Sequence, residues 1–261
     1  MCIRDRLTTP ESTEMHALIA RMREKRVTDV AIEVSAQALT QLRVDGLHFD
    51  VAGFTNLSHD HFDDYDGFDD YLRAKAKLFT REKAERGVVC LDSEYGKKIV
   101  ELSEIPVVTI ASKAGIQADW TVSITEELPG ITKFDLSGPA GEKLSSSVPL
   151  LGAHMALDAG LAIVMLLQAG FSFNSITEAI SEGIKAYLPG RTELVSPPNA
   201  PNVYVDFGHS PDAFLNTLAA VRKVTKGKVL MLFGADGDRD ASKRPDMARV
   251  AAAGCDILVI T

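Results

Sequence analysis

Cysteine is scarce: Cys2, Cys90 and Cys255 are the three in 261 residues. Their odd number and wide separation exclude a disulfide framework, match no metal-ligand spacing, and fit a reducing compartment. No apolar run reaches the ~20 residues needed to span a bilayer, so no membrane insertion is expected. The N-terminal MCIRDR is charged but leads into no apolar stretch, which excludes a signal peptide. Residues 1–6 are expected to be a non-native leader. Basic blocks are absent and the net charge is -8, so no nucleic-acid partner is expected. Missing too is a glycine-rich GxxGK[ST] phosphate loop. These absences leave a cytoplasmic protein, expected to be a monomer.

What is present belongs to an ordinary globular chain, 46% hydrophobic and 25% charged. In TTPESTEMHALIARMREKR, Thr9 is the expected N-cap and Pro10 the first helical residue, ahead of a stripe of Met15, Leu18, Ile19 and Met22. VTDVAIEVS (27–35) and FDVAGFTNL (49–57) read as buried strands. A helix over about 67–86, the strand GVVCLD, a further helical segment and the strand IPVVTIA follow. That alternation predicts an α/β fold with a mainly parallel sheet and crossover helices. Between 119 and 148 short alternating runs predict an antiparallel meander. Two helices, 152–170 and 172–187, come next, with Gly170 as C-cap of the first.

The Pro- and Asn-rich stretch YLPGRTELVSPPNAPN is the expected boundary between two domains, 7–187 and 188–261. Beyond it the rhythm restarts as VYVDF, PDAFLNTLAAVRKV, KVLMLFG, RPDMARVAAAG and DILVIT, a partial Rossmann-like unit. Both ends of the chain are expected to be cut.

The densest chemistry lies in NLSHDHFDDYDGFDDYLRAKAKLF (56–79), with six aspartates and two histidines. Lys75 shares a helix face with Tyr71, Leu72, Leu78 and Phe79, while Arg73 and Lys77 point elsewhere. A snorkelling lysine is one reading. The other is partial burial that lowers its pKa and frees a neutral amine, able to form a carbamate with carbon dioxide. Asp60, His61, Asp63 and Asp64 follow one strand end, and Glu33 sits near the end of its expected neighbour. Taken singly these are salt bridges and loop caps; together they suit a hard divalent ion such as Mg²⁺. VDFGHSPDA places Asp206, His209 and Asp212 at a strand-to-helix junction. FGADGDRDASKRP carries Arg239, Lys243 and Arg244 in a Gly/Asp turn able to cradle an anion.

TTPE, EVSAQALTQLRVDG, the 56–79 stretch, GRTEL, VYVDFGHSPDAF and GADGDRDASKRP occur in the order seen in Mur ligases, and the chain resembles that family throughout 7–261. It looks most like the MurE branch, the UDP-N-acetylmuramoyl-tripeptide synthetases. The resemblance implies an incomplete ATP-binding central domain over 7–187 and an incomplete C-terminal domain over 188–261. It implies ATP-dependent ligation of a free diamino acid to UDP-N-acetylmuramoyl dipeptide through an acyl phosphate, with Mg²⁺ as cofactor. By match to the motifs, Glu33 and His61 would be metal ligands, and Lys75 the carbamylated lysine facing a second metal. Thr8, Thr9, Ser35, Gln41 and Arg43 would hold the muramoyl dipeptide. Arg191 and Asp206 would face the nucleotide, His209 the phosphates, and Arg239 the carboxylate of the incoming amino acid.

The departures are specific. Ala36 and Gln37 stand where the family commonly has Ser and His, Thr192 where it has Met, and Met155 and Asp158 where asparagines lie near the adenine. Without GxxGK[ST], this chain alone is expected not to turn over ATP. Other readings are a folylpolyglutamate synthase or amidating subunit, a non-catalytic Mur-like binding module, and a metallohydrolase built on HDHFDD.

Overall fold

A computed structural model describes residues 7–59, 62, 64–235 and 241–261. Helix α1 (Ser12–Glu24) leads to a five-residue helix α2 (Ala36–Thr40) and then to strand β1 (Phe49–Phe54). Next come α3 (Phe68–Ala76), β2 (Ala84–Cys90), α4 (Glu94–Leu102) and β3 (Val107–Ala111). The meander is β4 (Trp120–Leu128), β5 (Ile131–Ser137) and β6 (Lys143–Val148). These six strands form one sheet in chain order. Neighbours are parallel from β1 to β4 and antiparallel from β4 to β6. The fold is the expected α/β arrangement with a small antiparallel region.

Alternation along the strands separates two cores. Val89, Leu91 and Ala111 face α3 and α4 with Leu72, Phe79 and Ile99. Val88, Cys90 and Ile110 face α5 (Ala153–Gln168) with Leu161 and Val164. Successive side chains of a strand point to opposite faces, so a continuous apolar run can feed both layers. Gly160 permits the close approach of α5: a Cβ there would lie 2.5 Å from Val122 Cγ2.

Helix α6 (Phe173–Ala179) ends eight residues short of its expected limit. The chain turns back to the sheet edge instead, where Ser146 Oγ donates to the Ile180 carbonyl (2.9 Å) and the Ile184 amide to the Ser147 carbonyl (2.8 Å). The helix expected to reach residue 86 stops likewise. It closes in a 3₁₀ turn at Lys77–Phe79, because residues 84–86 pair with β1.

Segment 27–35 is not a strand. It has no ladder partner among the described residues, and Val27 and Val30 are exposed. An apolar pattern makes a strand only where neighbouring backbone is at hand. α1 begins later than expected, after Glu11 rather than Thr9.

After β7 (Glu193–Leu194) and β8 (Tyr204–Val205), a two-residue antiparallel pair, come α7 (Pro211–Val224), β9 (Leu230–Phe233), α8 (Arg244–Gly254) and β10 (Ile257–Ile260). β9 and β10 are parallel, as a Rossmann-like unit requires, whereas VYVDF pairs with β7 instead of joining them. Phe214, Met247 and Ala251 form the small core here. Lys223 Nζ lies 2.6 Å from Glu127 Oε2 and ties α7 to β4.

Candidate active site

The C-terminal end of β1, segment 32–35, α3 and the start of α8 surround one cavity of about 1020 Å³. Each of its predicted residues arrives for a local reason. Ser35 Oγ accepts from the Ala38 amide (3.1 Å), capping α2 and setting Glu33 just before a helix start. α2 ends through Leu42, whose φ of 58° is left-handed. The Arg43 amide thereby returns to the Ala38 carbonyl at 2.8 Å, and the Arg43 side chain turns inward, where the residue is only 7% exposed. A left-handed residue at a helix C-terminus is a glycine's usual place, so an exposed leucine there gave no signal.

Glu33, Ser35, Gln41 and Arg43 line the cavity with Thr8 and Lys75; Arg191 and His209 reach it from the second lobe. Lys75 Nζ sits 5.0 Å above the Tyr71 ring, on the apolar helix face, while Arg73 and Lys77 are exposed. Across the lobes, the His59 ring nitrogen Nε2 and Ser242 Oγ share a hydrogen bond of 3.2 Å. Lys243 and Arg244, at the opening of α8, line the same cavity, with Lys243 7% exposed.

Two predicted residues take other places. Thr9 is 0% exposed. Its hydroxyl donates to the Glu33 carbonyl (2.8 Å) and accepts from the Ser35 amide (3.1 Å). The carboxylate of Asp206 accepts from the Thr192 amide (2.7 Å), the Thr192 hydroxyl (3.1 Å), the Gly208 amide (2.8 Å) and the Thr217 hydroxyl (3.4 Å). Asp206 thus braces the 190–192 turn against α7. His61 and Arg239, with residues 1–6, Asp60 and Asp63, lie outside the described residues.

Phe207 is a site residue that the sequence reading missed. It is 63% exposed and lines the cavity, with the Arg191 guanidinium carbon 5.1 Å from its ring centroid and the His209 ring 5.3 Å away. A large aromatic left in water at a strand end was the available signal. Asp158, on α5, is crowded by protein, and burial pushes its carboxyl up to about 6 against the pull of Arg191. The residue is nonetheless open to solvent on one side.

Among the described residues no three His, Cys, Asp or Glu side chains gather as a self-sufficient metal cage. Glu33 and Asp64 do line one cavity. One or two carboxylates completed by phosphate oxygens and water is how Mg²⁺ is commonly held, so the donor set fits a magnesium phosphate.

The model of the Mur ligase middle domain matches residues 2–166, and that of the Mur ligase glutamate ligase domain matches 190–261. A UDP-N-acetylmuramyl-tripeptide synthetase of Leifsonia xyli subsp. xyli is 57% identical over 257 residues, covering 98% of this chain and 50% of the relative. A UDP-N-acetylmuramoyl-L-alanyl-D-glutamate--2,6-diaminopimelate ligase of Streptomyces avermitilis is 41% identical over 261 residues, covering 99% and 51%. A solved ligase of that second name superposes with a TM-score of 0.70 at 25% identity, over 96% of this chain and 51% of its own. The chain spans about half the length of the curated relatives it matches. Two successive family domains, meeting around a cavity that collects the motif residues of both, make this chain a member of the Mur ligase family.

Proposed function

We propose that these residues serve an ATP-dependent amide ligase that adds a diamino acid, of the meso-diaminopimelate or L-lysine type, to UDP-N-acetylmuramoyl-L-alanyl-D-glutamate in peptidoglycan synthesis. The observation that carries this reading is the shared cavity: Glu33, Ser35, Arg43 and Lys75 of the first lobe face Arg191 and His209 of the second. On this reading 7–187 is the nucleotide-binding domain and 188–261 part of the domain that receives the amino acid. The enzyme acts in the cytoplasm as a monomer.

Bound Mg²⁺ would neutralise phosphate charge as the γ-phosphoryl group passes to the dipeptide carboxylate. Glu33 and His61 would hold it. Ser35, Gln41, Arg43 and Thr8 hold the muramoyl dipeptide; Arg43, nearly enclosed, supplies a guanidinium for an acidic group. Arg191 and Phe207 receive the nucleotide, with Asp206 bracing them. His209, with Lys243 and Arg244, faces the phosphates, and Arg239 takes the carboxylate of the incoming amino acid. Once deprotonated, the Lys75 amine adds carbon dioxide, loses a further proton, and presents the resulting carbamate as an anionic oxygen donor.

Removing the amine tests the carbamate. Lys75→Ala in the complete ligase should abolish ligation, and short carboxylates such as acetate should restore part of it. Full activity in the variant would take Lys75 out of the reaction.

A further inference from the structure

We propose that Thr9 is a positioning residue that ties the metal side of the cavity to its substrate side, a role that rests on the ligase reading above. Its hydroxyl has one proton, donated to the Glu33 carbonyl at 2.8 Å, and it accepts the Ser35 amide at 3.1 Å. Its own carbonyl accepts from the Arg43 guanidinium at 3.3 Å. With 0% exposure the side chain cannot reach a ligand in the cavity. Yet Glu33, Ser35 and Arg43, the three residues it joins, all line that cavity.

Three chain segments therefore meet on this threonine. Among the described residues segment 32–35 has no β-ladder partner, so side-chain hydrogen bonds take that place. Arg43 in turn sits 3.4 Å from Glu11, four residues before Met15 on the first helix. The atom facing Glu11 is Nε, and the guanidinium is oriented by that ion pair together with the Thr9 carbonyl and Gln41. A part-buried amide that loses its acceptor is destabilised, so the 33–35 backbone shifts when the hydroxyl goes. Glu33 and Ser35 then move together, although neither touches the other's ligand.

Thr9→Val keeps the shape and removes the hydroxyl; Thr9→Ser keeps the hydroxyl. In the complete ligase, Thr9→Val should raise the half-saturating Mg²⁺ concentration and the KM for the muramoyl dipeptide together, each roughly tenfold. Amide exchange at Ser35 should quicken by a similar factor, and Thr9→Ser should restore all three. Unchanged Ser35 exchange in Thr9→Val would overturn the tie. So would a rise in the dipeptide KM alone, the mark of a direct substrate contact. Should the wild-type enzyme ligate nothing, the ligase reading fails by itself, and Ser35 exchange still decides the tie.

Discussion

Replacing Asp206 by asparagine changes no volume but reverses one half of the acceptor. Today both oxygens accept, Oδ2 from the Thr192 amide and hydroxyl and Oδ1 from the Gly208 amide and Thr217 hydroxyl. The hydroxyls can rotate to accept; the two amides cannot. Whichever way the new NH₂ is turned, it meets one backbone N–H. Turned toward Thr192, which is 1% exposed, it leaves that N–H without water. An orphaned buried donor costs about 1–3 kcal/mol, and losing the charge from the remaining bonds adds up to about 1. Thr192 also holds φ at 44°, an unfavourable angle for a β-branched residue that persists only while its surroundings enforce it. A total of about 1–4 kcal/mol corresponds to a fall in Tm of roughly 2–16 °C for a chain of this size. Differential scanning calorimetry reads this directly, with Glu182→Gln as control: its surface pair with Lys185 is exposed and worth under about 0.5 kcal/mol. Nucleotide affinity should drop as well, because the turn carrying Arg191 loosens. An Asp206→Asn midpoint within a degree of wild type would refute the bracing assigned to this carboxylate.

Two pH predictions follow from other groups of the same region. Crowding raises the Asp158 carboxyl above its usual 3.8, so the folded state binds the proton more tightly and stability falls as pH rises from about 4 toward 6. Asp158→Asn should therefore raise Tm at pH 8 and give no gain at pH 3.5; equal gains at both would remove the carboxylate's charge as the cause. Burial lowers His154 below 6.5, against the opposing charges of Asp206, Asp212 and Glu127. The unfolded chain then binds the proton more tightly, and stability is lost as pH drops below about 6.5. His154→Gln should shrink the Tm difference between pH 7.5 and pH 5.5, and a difference that stays the same would exclude His154 as its source.

The sequence by itself determined the elements whose signals are local. The serine–proline pair of VDFGHSPDA opens α7, the Ser210 hydroxyl accepting the Ala213 amide, and Gly170 ends α5 as expected with φ at 97°. The placing of Lys75 apart from Arg73 and Lys77 needed only helical spacing. The motifs, read in order, pointed to the family. Tertiary structure alone decided the rest, since each remaining feature depends on what lies beside a segment. The apolar pattern of 27–35 has no neighbour to pair with among the described residues, and Leu42 takes a left-handed turn that packing imposes. Thr9, a fitting N-cap by type, is drawn inside by hydrogen bonds to residues 24 and 26 positions away. A polar side chain's partner is set by distance in space, and only the folded chain supplies that.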